Sequence, residues 1–137
     1  MFPPISPRYL DVMLKLVRIA GDHVTEEVWH RVVQMVTNRT DVQDYAAKTC
    51  FEALLDPCCH PTMVDLGSYV IGEFGCLIAN SPVSSPSTQL AVLQSHYSMV
   101  PVTTRVLILT TYVKLANVFP ELKSAIREVS SGGFVLN

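Results

Sequence analysis

A chain of 137 residues has room for one domain with a sizeable buried core. Apolar residues make up 49% and charged residues only 16%, so core material is abundant and apolar surface is left over for a partner. A formal charge of −2 without a basic run argues against nucleic acid and against an anionic membrane surface.

Residues 1–8 hold Pro3, Pro4 and Pro7 and read as an extended lead-in. Leu10, Met13, Leu14, Val17 and Ala20 then recur at helical spacing, which predicts a first helix from Tyr9 to Ala20 with Gly21 as its C-cap. Thr25 is the expected N-cap of a second helix, with Glu26 and Glu27 in the first turn where the helix dipole favours acids. Val28, Val32, Met35 and Val36 form its apolar stripe, Trp29 widens it, and Glu27 and Arg31 make a four-residue charge pair. The short connection predicts an antiparallel hairpin, closed by a corner at Asn38 to Asp41.

Asp41 is expected to cap a third helix running to about Leu55, packed through Tyr45, Ala46, Thr49, Ala53 and Leu54. Pro57 stops it, and Pro61 opens a fourth helix carrying Met63, Leu66, Val70, Phe74 and Leu77 on one face, through to Ala79. Glycine inside a helix costs roughly 0.5 to 1 kcal/mol relative to alanine, so Gly67, Gly72 and Gly75 imply close approach of a neighbouring helix backbone. Glu73, set among apolar residues, calls for a partner. Ser81 to Ser87 reads as a loop open to proteolysis. A fifth helix follows from Ser87 to about Ser98 with Leu90, Leu93 and Tyr97 in register. The sixth, Thr103 to Val118, is expected to bury Val106, Leu109, Val113, Leu115 and Ala116. Pro120 restarts the chain for a seventh to about Val129, and residues 130–137 read as a disordered tail.

The hairpins recur at roughly forty residues, the period of stacked helical repeats. The expected fold class is therefore all-α: an alpha-solenoid of HEAT or armadillo-like antiparallel helix pairs, about seven helices over residues 9–129. The apolar run from Val106 to Phe119 is broken by Thr110, Thr111, Lys114 and Asn117, too short and too polar to span a bilayer, so a soluble chain is expected.

Chemistry is sparse. Cys50, Cys58, Cys59 and Cys76 form no CxxC pair and read as reduced thiols, and Cys58-Cys59-His60 lacks the remaining ligands of a zinc site. His23 and His30 flank Glu26 and Glu27 without making HExxH, and no GxSxG elbow is present. Gly72-Glu73-Phe74-Gly75 lies in a helix and lacks the ending of a phosphate loop. No catalytic, cofactor-binding or metal residue is assigned, binding residues are left open, and the expectation is a chain that is not an enzyme.

Arg18-Ile19-Ala20-Gly21-Asp22-His23-Val24-Thr25-Glu26-Glu27-Val28-Trp29, then Tyr45 to Leu54, then Gly72-Glu73-Phe74-Gly75, then Val102 to Lys123, resemble in that order the trunk of the alpha-adaptin family. These are the large alpha subunits of the plasma-membrane clathrin adaptor complex, and the likeness covers about Tyr9 to Glu128. The resemblance implies a scaffold segment that supports adaptor assembly in clathrin-mediated endocytosis and intracellular protein transport. Its partners would be the small, medium and second large adaptor subunits. Its place would be cytoplasmic, peripheral at the plasma membrane in coated pits when in complex. The family's basic phosphoinositide-binding region, hinge and appendage have no counterpart in the sequence, which suggests a truncated copy that reaches membrane and clathrin only through parts absent here. The alternative is a generic helical-repeat binding module in another trafficking pathway, or a truncated product without function.

Overall fold

The computed structural model of the chain describes residues 7–129, which form seven α-helices joined by short turns of 3-10 helix. The helices are α1 (Pro7–Ile19), α2 (Glu26–Thr37), α3 (Gln43–Leu54), α4 (Pro61–Phe74), α5 (Pro86–Tyr97), α6 (Val102–Val118) and α7 (Lys123–Val129). No strand is found among the described residues. The extended lead-in expected of residues 1–8 is overturned at Pro7 and Arg8, which are helical; its residues 1–6, and the disordered tail expected of residues 130–137, lie outside the described residues. Helix α1 does begin at Pro7, two residues ahead of the expected start, as suits a proline in a first turn.

Odd-numbered helices pack along one side and even-numbered helices along the other, with α1 against α3, α2 against α4, and α4 against α6. Helix α4 is the centre, meeting α3 across the layers and α6 within its own layer most extensively. This is the two-layer stack of a helical solenoid, in which each hairpin covers the next. Two apolar clusters fill it. One joins Leu14, Val17, Trp29, Val36, Cys50, Met63 and Val70; the other joins Phe51, Leu54, Ile71, Leu93, Ile108, Tyr112 and Leu122.

The chain tightens α4 with small residues, but side chains fill the space where a neighbouring backbone was expected. A Cβ on Gly67 would stand 2.9 Å from Cδ1 of Leu54, and one on Gly72 would touch Lys114 and Thr111. Glu73 finds Lys114 of α6 at 2.5 Å, and the same ammonium lies 4.5 Å from the Tyr69 ring centre.

Several local expectations are corrected. Gly21 is not a left-handed cap; it opens a 3-10 turn, Gly21–His23, and is small because the His60 ring sits where its Cβ would be. Thr25 occupies the N-cap of α2 but its hydroxyl makes no capping bond. Asp41 falls inside a 3-10 turn, Thr40–Val42, and pairs with Arg39 at 3.3 Å, so α3 begins only at Gln43. Helix α4 ends at Phe74, and the 3-10 turn Gly75–Ile78 swings Leu77 out to 48% exposure.

The serine-rich link is built more firmly than its composition suggests. The Ser84 hydroxyl donates to the carbonyl of Ile78 at 2.7 Å. The buried Gln89 amide donates to Gly75 at 2.9 Å and Ser84 at 2.8 Å, and Ser85 caps α5 by accepting from the Thr88 N–H. On α6 the buried face is Thr104, Ile108, Thr111, Tyr112 and Leu115, while Val106 and Val113, expected inside, are 55% and 60% exposed. Polar and apolar residues are mixed around this helix, so its periodicity carries little direction; the side that is buried is the one on which the Thr111 hydroxyl donates to the Ser68 carbonyl of α4 at 2.7 Å.

Candidate interaction surface

His60, Cys50 and Cys59 are used structurally, whereas His23 and Cys76 are exposed. The N–H of Thr62 donates to Nδ1 of His60 at 3.2 Å, so Nε2 carries the ring proton and donates to Asp22 at 2.6 Å. The Thr62 hydroxyl in turn donates to the Gly21 carbonyl at 3.1 Å. These bonds tie the α1–α2 turn to the start of α4, and the His60 hydrogen bond holds the Asp22 carboxyl below its usual range. Cys58 is exposed, whereas burial pushes the Cys50 thiol up to about 12 and the Cys59 thiol up to about 11. His30 and Arg31 pair with Glu26 and Glu27 on the exposed side of α2, at 3.4 and 3.5 Å. Among the described residues no three His, Cys, Asp or Glu side chains gather as a metal site would require.

What the structure does offer is surface for proteins. Helix α1 leaves Tyr9, Val12, Leu16 and Ile19 uncovered in one stripe, Ile19 at 84% exposure, on the side away from Asp11, which accepts a 2.6 Å bond from Tyr45 of α3. At the other end of the stack, α6 leaves Val102 and Val113 uncovered. Val102 precedes Thr111 by about two and a half helical turns, so this stripe points away from α4, to which Thr111 is bonded. Both ends of the stack thus present exposed apolar side chains.

Between α2, α4 and α6 the even layer encloses a groove of about 640 Å³. Its walls are Trp29, His30 and Val33 of α2, Tyr69 of α4, and Val106 and Leu107 of α6, with Asp65 of α4 among them. Burial raises the Asp65 carboxyl above its usual range, against the pull of a hydrogen bond from Thr104. Its Oδ1 is closed off from solvent and has no hydrogen-bond partner. Sequence reasoning passed over Asp65; the available signal was an acid standing among apolar residues of α4, the same signal that marked Glu73. A smaller apolar cleft of about 370 Å³ opens on the other layer between Phe51, Leu55, Leu77 and Val83. No helix among the described residues is long and apolar enough to cross a membrane.

Comparison with known proteins agrees with this architecture. The family described as the adaptin N terminal region matches residues 1–131. The AP-2 complex subunit alpha-2 of Dictyostelium discoideum is 47% identical over 121 residues, covering 88% of this chain and 12% of the relative. The AP-2 complex subunit alpha of Schizosaccharomyces pombe is 41% identical over 121 residues, 88% of this chain and 14% of the relative. The AP-1 complex subunit gamma-2 of Arabidopsis thaliana is 28% identical over 149 residues, 98% of this chain and 17% of the relative. The chain therefore spans about an eighth of the length of the AP-2 relatives it matches.

Proposed function

This chain belongs to the adaptin N-terminal region family, and we propose from that membership that it acts as a scaffold segment of a clathrin adaptor large subunit of the alpha type. Its role in this reading is to support assembly of the adaptor complex in clathrin-mediated endocytosis and intracellular protein transport. The observation that carries it is the 47% identity to an AP-2 alpha subunit, sustained over 88% of the chain. The gamma-type relative is less similar, at 28%, which favours the alpha assignment.

The partners in this proposal are the small, medium and second large adaptor subunits. The work is done by surface and not by catalysis: both ends of the helix stack present uncovered apolar side chains, as a segment built to be continued or clasped would. Residence is cytoplasmic, at plasma-membrane coated pits through the assembled complex. Contacts with clathrin and with phosphoinositide membrane fall to parts of the family's large subunits outside the matched stretch.

Co-expression of the tagged chain with the small, medium and second large subunits tests this directly. The expected result is co-elution of one or more subunits with the chain in gel filtration. Elution of the chain apart from all three would overturn the proposal.

A further inference from the structure

The groove between α2, α4 and α6 joins two properties. Its walls are largely apolar and aromatic, from Trp29, Val33, Tyr69, Val106 and Leu107, yet a half-buried carboxylate, Asp65, is set among them. A carboxylate withdrawn from water is costly unless a donor or a cation meets it. Thr104 donates to this carboxylate, yet its Oδ1 has no partner, and the groove's lining contains no lysine or arginine. The one basic side chain present, His30, is already turned to Glu26 at 3.4 Å. The groove thus carries two acids, Glu26 and Asp65, and the Lys114 ammonium beside its Tyr69 wall is already held by Glu73.

We propose that this groove seats a lysine or arginine side chain presented between apolar residues by a segment of a partner protein. The cation would lie against the exposed side of the Asp65 carboxylate, where it compensates charge shared by both oxygens, including the sequestered Oδ1. The flanking apolar residues of the segment would rest on Val33, Val106 and Leu107. A volume of about 640 Å³ holds a few side chains, not a folded domain, which suits a short segment. The inference rests on the reading above only in taking the occupant to be a protein.

Trp29 is the chain's single tryptophan and lines this groove, so its fluorescence reports occupancy there. The probes are acetylated, amidated pentapeptides, Leu-Ala-Arg-Ala-Leu and its counterparts with Gln or Glu at the centre, titrated into the full 137-residue chain. The expected result is a saturable Trp29 response to the arginine peptide, at least tenfold weaker for the glutamine peptide and absent for the glutamate peptide. Asp65→Asn should weaken the arginine peptide at least tenfold and leave the glutamine peptide unchanged, while Glu52→Gln, outside the groove, should leave both unchanged. Val106→Arg, which places a cation on the facing wall, should abolish binding and serves if Asp65→Asn fails to fold by circular dichroism. Equal binding of the arginine and glutamine peptides, indifference to Asp65→Asn or Val106→Arg, or no saturable response would overturn the proposal. So would a groove already filled by a second copy, seen as a dimer that Val106→Arg dissociates. Subunit co-elution is read separately, so either result can fail without the other.

Discussion

His96 of α5 is buried, and its Nε2 donates a 2.6 Å hydrogen bond to the carbonyl oxygen of Leu54, the last residue of α3. The last carbonyls of a helix have no partner inside it, so a side chain from two helices further along the chain completes the end of α3. The bond also fixes the ring's tautomer, since a carbonyl accepts only from an N–H.

His96→Phe keeps the bulk and removes the donor, leaving a buried carbonyl unsatisfied. A loss of about 1 to 3 kcal/mol is expected. Urea unfolding followed by circular dichroism measures it; a midpoint unchanged from the parent chain would mean that water replaces the ring.

Gly21→Ala tests the knot between the α1–α2 turn and α4. The added methyl would occupy the place of the His60 ring, whose two nitrogens are already engaged by Asp22 and Thr62. Overpacking at such a site costs about 1 to 3 kcal/mol. The His60 imidazole resonances should also shift, because the ring must leave Asp22; a chain with unchanged melting and unchanged shifts would show that the turn yields freely.

Acid should loosen the same knot. Asp22 titrates lower in the folded chain than the 3.8 of a free carboxyl, chiefly through the His60 hydrogen bond. In the window below about pH 4 the unfolded chain therefore binds the proton more readily, so stability present above that pH is lost as pH falls through the folded value. Asp22→Asn should flatten this part of the stability profile. If parent and variant lose stability in parallel below pH 4, Asp22 has no share in it.

The uncovered stripe of α1 predicts association between copies at high concentration. Ile19 is 84% exposed, so Ile19→Glu should change stability by no more than about 0.5 kcal/mol while lowering the light-scattering mass at high protein concentration. Scattering that does not respond, with the parent chain associated, would place the sticky surface elsewhere.

Most of the helical plan was legible in the residues because amphipathic periodicity and proline punctuation are local signals. Pro61 and Pro120 stand at the starts of a helix and a turn, and Leu10, Leu14 and Val17 stand inside, as spacing implies. What could not be read depends on which neighbour arrives. The orientation of α6 rests on Thr111 reaching Ser68 across 43 positions. The turn between α5 and α6 is gathered by Arg105, whose Nε donates to the carbonyls of Tyr97 and Val100, at 3.0 and 3.1 Å. Asp65 carries the same local signal as Glu73, an acid among apolar residues, but the groove around it is assembled from three helices and no single stretch of sequence displays that.

The anchoring of the link between α4 and α5 by Gln89 bears on how the molecule is made. The carbonyls of Gly75 and Ser84 are held by an amide that a ribosome adds only afterwards, so this crossing stays unset while the first four helices emerge. A nascent chain halted before Gln89 would lack both these bonds and the α5 and α6 side chains that cover Leu54 and Ile71. Synthesis of α5 supplies the amide that sets the crossing.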